Sequence, residues 1–122
     1  LGTDPSKRWF LNVLDQYKKQ NFDSFRKDIK KMKMISKKIE TKFYVIILPY
    51  EFQTRNCSNE ILFPQNNIIK ILDNLDVKFE DLTKYFCKQI KPKELFYKFD
   101  PMHLSKEGHM LVYNLLYDKI KF

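Results

Sequence analysis

Asp100-Pro101-Met102-His103-Leu104-Ser105 puts a carboxylate three positions before an imidazole, with a helix start directly after both. Ser105 is suited to cap that helix, because its hydroxyl accepts from a first-turn amide that has no partner within the helix. A histidine just ahead of a helix sits on a short, anchored loop. A nearby Asp bonds one ring nitrogen, fixes the tautomer and leaves the other nitrogen free as a base. Nucleophilic hydrolases use two of their three catalytic residues in this way. An Asp-x-x-His spacing also arises by chance at surfaces and helix caps, so the surrounding elements decide what it is worth.

Those elements follow from the apolar spacing. Asp4-Pro5 reads as an N-cap and a first-turn proline, followed by Trp9, Phe10, Val13, Leu14 and Tyr17 at helical intervals. Phe22, Phe25, Ile29, Met32, Ile35 and Ile39 form a second stripe, expected to face the core with lysines opposite. Phe43 to Leu48 is a continuous apolar, β-branched run stopped by Pro49, the pattern of a strand covered on both faces. Residues 50–60 read as a polar loop. A helix is predicted from Pro64 to Leu75, with Ile68, Ile69, Ile71, Leu72 and Leu75 on its apolar side, then a short strand from Val77 to Glu80. Asp81 is expected to cap a helix carrying Leu82, Tyr85, Phe86 and Ile90, which Pro92 ends. Residues 94–104 form the loop with the Asp-x-x-His. A last helix spans about Lys106 to Lys119, with Leu111, Val112, Leu115, Leu116 and Ile120 inward. This order is α/β: part of a doubly wound parallel sheet flanked by helices, with too few strands to close off its edges.

Composition bounds the rest. A chain of 122 residues, 43% hydrophobic with 11 Phe and 7 Tyr, fits one domain with a modest core rather than a disordered segment. With 2 Gly and 5 Pro it lacks the turns of an all-β domain. No apolar run approaches the roughly 18 residues of a transmembrane helix, and no signal peptide stands at the start. Residue 1 is Leu, so an upstream segment is expected to have been cleaved or left out. The net charge of +8 comes largely from lysine, with Lys27, Lys30, Lys31, Lys33, Lys37 and Lys38 close together. They read either as a patch for an anionic polymer or membrane surface, or as the solvated face of an amphipathic helix. Scarce arginine (Arg8, Arg26, Arg55) favours the solvated face. Cys57 and Cys87 lack metal-ligand spacing; they pair if the chain is exported and are free thiols if it is not. No metal or cofactor is expected.

The block from Asp100 to His109 resembles the last block of the SGNH hydrolase superfamily, the GDSL esterases and lipases, which reads Asp-x-x-His-Leu-Ser-x-x-Gly-x before a terminal helix. The resemblance implies that His103 is the catalytic base, Asp100 its orienting partner and Gly108 the glycine early in the helix; His109 takes no role. Ile47-Leu48-Pro49 is similar to the end of the family strand that precedes a variable loop, which places Tyr50 to Asn59 near the substrate. Leu1-Gly2-Thr3-Asp4 resembles the family's Gly-x-Asn-Asp block without its Asn, so that oxyanion role has no owner here. The Gly-Asp-Ser stretch with the nucleophile is missing: Ser6, Ser24, Ser36, Ser58 and Ser105 all lack that context. The oxyanion glycine of the second block is also not identifiable.

By this resemblance, residues 1–122 are a single C-terminal segment of an SGNH-like domain. The implied function is that of an esterase or O-acyltransferase segment supplying the His and Asp of a Ser-His-Asp triad. The serine would lie on an upstream segment or partner chain, and this chain alone would be inactive. Its substrate would be an ester, such as an acetylated carbohydrate or a lipid; nucleic acid is not expected. The alternative is a degenerate, non-catalytic SGNH-like module acting in binding or as a structural subunit.

Overall fold

The computed structural model describes residues 4–120. Helix α1 runs Pro5–Lys19 and α2 Asp23–Lys38, followed by strand β1, Tyr44–Ile47. A five-residue helix α3, Glu51–Arg55, and helix α4, Phe63–Asn74, lead to strand β2, Lys78–Asp81. Helix α5, Thr83–Cys87, a 3₁₀ turn at Pro92–Leu95 and helix α6, Lys106–Lys119, complete the chain.

The two strands pair in parallel, with Tyr44 opposite Lys78 and Ile47 opposite Asp81. Alternation along β1 divides its side chains between two helical layers. Val45 and Ile47 join Phe25 and Ile29 of α2 and Ile68, Ile69 and Leu72 of α4, while Ile46 packs with Leu82, Phe86, Leu95, Phe96 and Leu104 and the inner side of α6. Helices therefore lie against both sides of a small parallel sheet. Only Ile47 of β1 is fully buried, because a two-stranded sheet leaves its outer flanks open. A third cluster, Phe10, Leu14, Phe52 and Ile61, fixes α1 to α3 and the loop after it.

Local chemistry explains the helix starts. Asp4 caps α1 by accepting from the Lys7 amide at 3.1 Å, with Pro5 in the first turn. Ser105 caps α6 by accepting from the Gly108 amide at 3.2 Å. Asp81 does not cap α5 directly; from the end of β2 it accepts from the Thr83 amide at 3.0 Å.

Three expectations are corrected. The polar loop at 50–60 contains α3, in which Glu51, Phe52, Gln53 and Thr54 are all buried. Its polar side chains are paired rather than solvated. Gln53 and Gln65 bond amide to amide at 2.7 Å in both directions, and Gln53 also donates to the Ile61 carbonyl and accepts from the Tyr50 amide. The helix after Asp81 ends at Cys87, short of Ile90, which is 97% exposed. On α2, Ile29 is buried but Met32, Ile35 and Ile39 face solvent, at 52%, 49% and 65% exposure. The alternatives for the cysteines also resolve: Cys57 and Cys87 form a disulfide that ties the end of α5 to the segment after α3. Among the described residues no helix is long and apolar enough to cross a membrane.

Candidate active site

The segment before α6 folds as a narrow hairpin. Phe96 and Leu104 form an antiparallel bridge. The Tyr97 amide donates to the His103 carbonyl at 3.0 Å, and the Asp100 amide donates to the Tyr97 carbonyl at 3.0 Å. Phe99 makes the tip with φ of 64°, a left-handed conformation that costs a non-glycine residue of order 1 kcal/mol. The hairpin base is fastened to the 3₁₀ turn: Ser105 donates its amide to the Leu95 carbonyl at 2.9 Å and its hydroxyl to the Glu94 carbonyl. Its tip is held by the Glu51 amide, which donates to the Pro101 carbonyl at 2.9 Å. Glu51 opens α3 just beyond the carboxyl end of β1, so the hairpin lies at the carboxyl ends of the strands. Open α/β sheets bind their ligands at that end.

Within this hairpin Asp100 and His103 are brought together. Oδ2 of Asp100 lies 2.8 Å from Nδ1 of His103. Oδ1 accepts from the main-chain amides of Met102 and His103, both at 2.8 Å. Those amides, with the His103 ring adding to them, hold the Asp100 carboxyl below its ordinary range. An ionised carboxylate only accepts, so Nδ1 is assigned as the donor. In the neutral ring Nε2 then carries the free lone pair. The His103 side chain is 66% exposed and Asp100 30%, so the imidazole is open to solvent while its carboxylate partner is anchored.

Asp100 borders a cleft of about 640 Å³ whose walls include Asp4 and Ser6 of the α1 start, Arg55 of α3 and Tyr97 and Phe99 of the hairpin. Arg55, whose place no local pattern signals, organises one wall. It pairs with Asp4 Oδ2 at 2.8 Å and donates to Glu51 Oε2 at 2.9 Å. Bonding to Arg55, and then to the Lys7 amide, draws the Asp4 carboxyl down to about 2. Asp4, part of the match at the start of the chain, is thus committed to a helix cap and an ion pair; Leu1-Gly2-Thr3 of that match lies outside the described residues. A second cleft, of about 610 Å³, opens at the amino ends of the strands, with Lys37, Lys42 and Lys78 in its walls, and holds neither Asp100 nor His103.

Gly108 serves this arrangement. A Cβ there would lie 2.1 Å from the Leu95 carbonyl oxygen and 3.1 Å from Leu104 Cβ. Only a residue without a side chain lets α6 sit this close to the hairpin base. Ser105, likewise buried, is spent on capping and on the Glu94 carbonyl. Among the described residues no group of three or more His, Cys, Asp or Glu is placed to hold a metal ion.

Comparison with known proteins adds no family to this picture: no family model matches the chain, and neither the curated proteins nor the solved structures give a match.

Proposed function

We propose that this chain is the C-terminal part of an SGNH-type esterase or O-acyltransferase, contributing the base and its orienting carboxylate to a Ser-His-Asp triad. The observation that carries the reading is the 2.8 Å contact between His103 Nδ1 and Asp100 Oδ2, in a hairpin that leaves the imidazole side chain exposed. Asp100 keeps the ring in the tautomer that accepts a proton and stabilises the imidazolium that follows. His103 Nε2 takes the proton of a serine hydroxyl as it attacks an ester carbonyl. The ring then returns that proton to the leaving alcohol. The serine comes from a segment or chain outside these residues, on the exposed side of His103. Support also comes from Ser105 and Gly108 in the places the block requires, and from helices against both sides of a parallel sheet, as in a partial doubly wound, flavodoxin-like domain.

A second reading, a degenerate module that binds or scaffolds, is favoured by one observation: the Asp4 carboxylate is tied up by Arg55 and the Lys7 amide, and no Asn precedes it. The two readings separate on hydrolysis of p-nitrophenyl acetate by the natural full-length protein and its His103→Ala variant. Loss of activity in the variant supports the triad; a folded, inactive natural protein supports the module.

A further inference from the structure

The solvent side of α2 has an unusual composition. Met32, Ile35 and Ile39 stand at intervals of three and four, which places them in one row along the helix. All three are about half exposed or more. Beside that row, on the side away from the core, Lys27, Lys31 and Lys38 are exposed at intervals of four and seven, with the exposed Met34 between the last two. None of these lysines makes an ion pair among the described residues, whereas Lys33, on the opposite flank, is bound to the Leu75 and Asp76 carbonyls. Asp28 stands at the amino-terminal end of the row. This sector thus combines an apolar strip with a parallel line of free ammonium groups, on a helix whose other side is anchored by Phe25 and Ile29.

We propose that α2 lies on the surface of an anionic phospholipid bilayer. Met32, Ile35 and Ile39 would enter the headgroup layer, and Lys27, Lys31 and Lys38 would reach acidic headgroups. A helix with this division of side chains lies in the plane of an interface rather than across it. Lysine stems add apolar length while their ammonium groups stay at headgroup level. Charge selects this occupant. A second copy docked antiparallel through the same strip about a two-fold axis would bring the two lysine rows against each other, and like charges repel. A nucleic acid would pair with the lysines but gain nothing from the methionine and isoleucines. Arg26, the one arginine of α2, is occupied by Asn74 at 2.8 Å.

Co-sedimentation with vesicles tests this. The natural full-length protein is expected to pellet with vesicles of phosphatidylcholine mixed with phosphatidylserine and to stay in solution with phosphatidylcholine alone. Lys27→Gln/Lys31→Gln/Lys38→Gln should weaken binding about 150-fold, since each lysine near such a surface contributes roughly a factor of 5 to 6. Met32→Ser/Ile35→Ser/Ile39→Ser should weaken it by about tenfold or more. All six positions are exposed, so circular dichroism should show both variants folded. Equal binding to the two vesicle types, or none to either, would overturn the proposal. So would full binding by the serine variant, which would mark a general polyanion patch. A dimer in sedimentation equilibrium that the serine variant disperses would assign the strip to a second copy instead.

Discussion

Replacing Gly108 with alanine sets two effects of opposite sign against each other. Helix propensity favours alanine by up to about 1 kcal/mol in the interior of a helix such as α6. Packing opposes it. The added Cβ would meet the Leu95 carbonyl oxygen at 2.1 Å and Leu104 Cβ and Cδ2 at 3.1 Å. That carbonyl must retreat by about 1 Å or more to reach ordinary contact, and it belongs to the main chain, so no rotamer change relieves it. It is also the acceptor for the Ser105 amide at 2.9 Å, the bond that fastens α6 to the hairpin base. Overpacking costs about 1–3 kcal/mol and the weakened hydrogen bond about 1 kcal/mol. The balance is a net loss of about 2 kcal/mol. For a chain of this size that corresponds to a fall in Tm of about 8 °C. Thermal unfolding followed by circular dichroism measures it, with His109→Ala as the neighbour that should change stability by less than about 0.5 kcal/mol. A Gly108→Ala variant as stable as the parent, or more stable, would refute the close seating of α6 on Leu95.

Asp4→Asn keeps a capping side chain but removes the charge that Arg55 holds. Because the folded carboxyl titrates near 2 and its ordinary value is 3.8, its stabilisation is present above that value and is lost as pH falls toward 2. Discounted for a side chain one-third exposed, the effect is about 1 kcal/mol. Urea midpoints of parent and variant should therefore differ at neutral pH and converge near pH 2; a constant gap would contradict the ion pair. Removing the Cys57–Cys87 disulfide, which spans 30 positions, should cost up to about 3.5 kcal/mol through the freed unfolded chain. Comparison of urea midpoints for the parent and Cys57→Ser/Cys87→Ser checks this, and unchanged midpoints would exclude a structural bridge. Gln65→Leu leaves the buried Gln53 amide short of a partner and should destabilise by about 1–3 kcal/mol; a neutral result would argue against the paired amides.

The parts of the molecule that announce themselves share a simple physical signal. Asp4-Pro5 and Ser105 mark the starts of α1 and α6 because capping needs a particular atom at a particular position. The run from Phe43 to Leu48 marks β1 because a strand between two helical layers needs apolar side chains on both faces. Asp100 and His103 are close in sequence, so their contact requires only the local hairpin. Other features depend on distant partners and leave no such trace. Helix α3 escapes periodicity because Glu51, Gln53 and Thr54 are polar and yet buried, satisfied by Arg55, Gln65 and main-chain groups that no local pattern foretells. Arg55 gains its place only when Asp4 and Glu51 converge on it. The stripe on α2 has helical spacing throughout, but spacing does not say how much of a face has something to pack against. Ile29 meets the strands and α4, whereas Met32, Ile35 and Ile39 do not. Ile90 follows a helix that stops at Cys87, where the chain turns toward Pro92.

The most direct test of the catalytic reading is turnover of p-nitrophenyl acetate by the natural full-length protein, compared with His103→Ala and Asp100→Asn at equal folded concentration. The triad assignment requires activity in the parent and a loss in kcat of about 10⁶-fold for His103→Ala and about 10⁴-fold for Asp100→Asn, as expected when the base or its orienting carboxylate is removed from such a site. Activity retained by the His103 variant would contradict it.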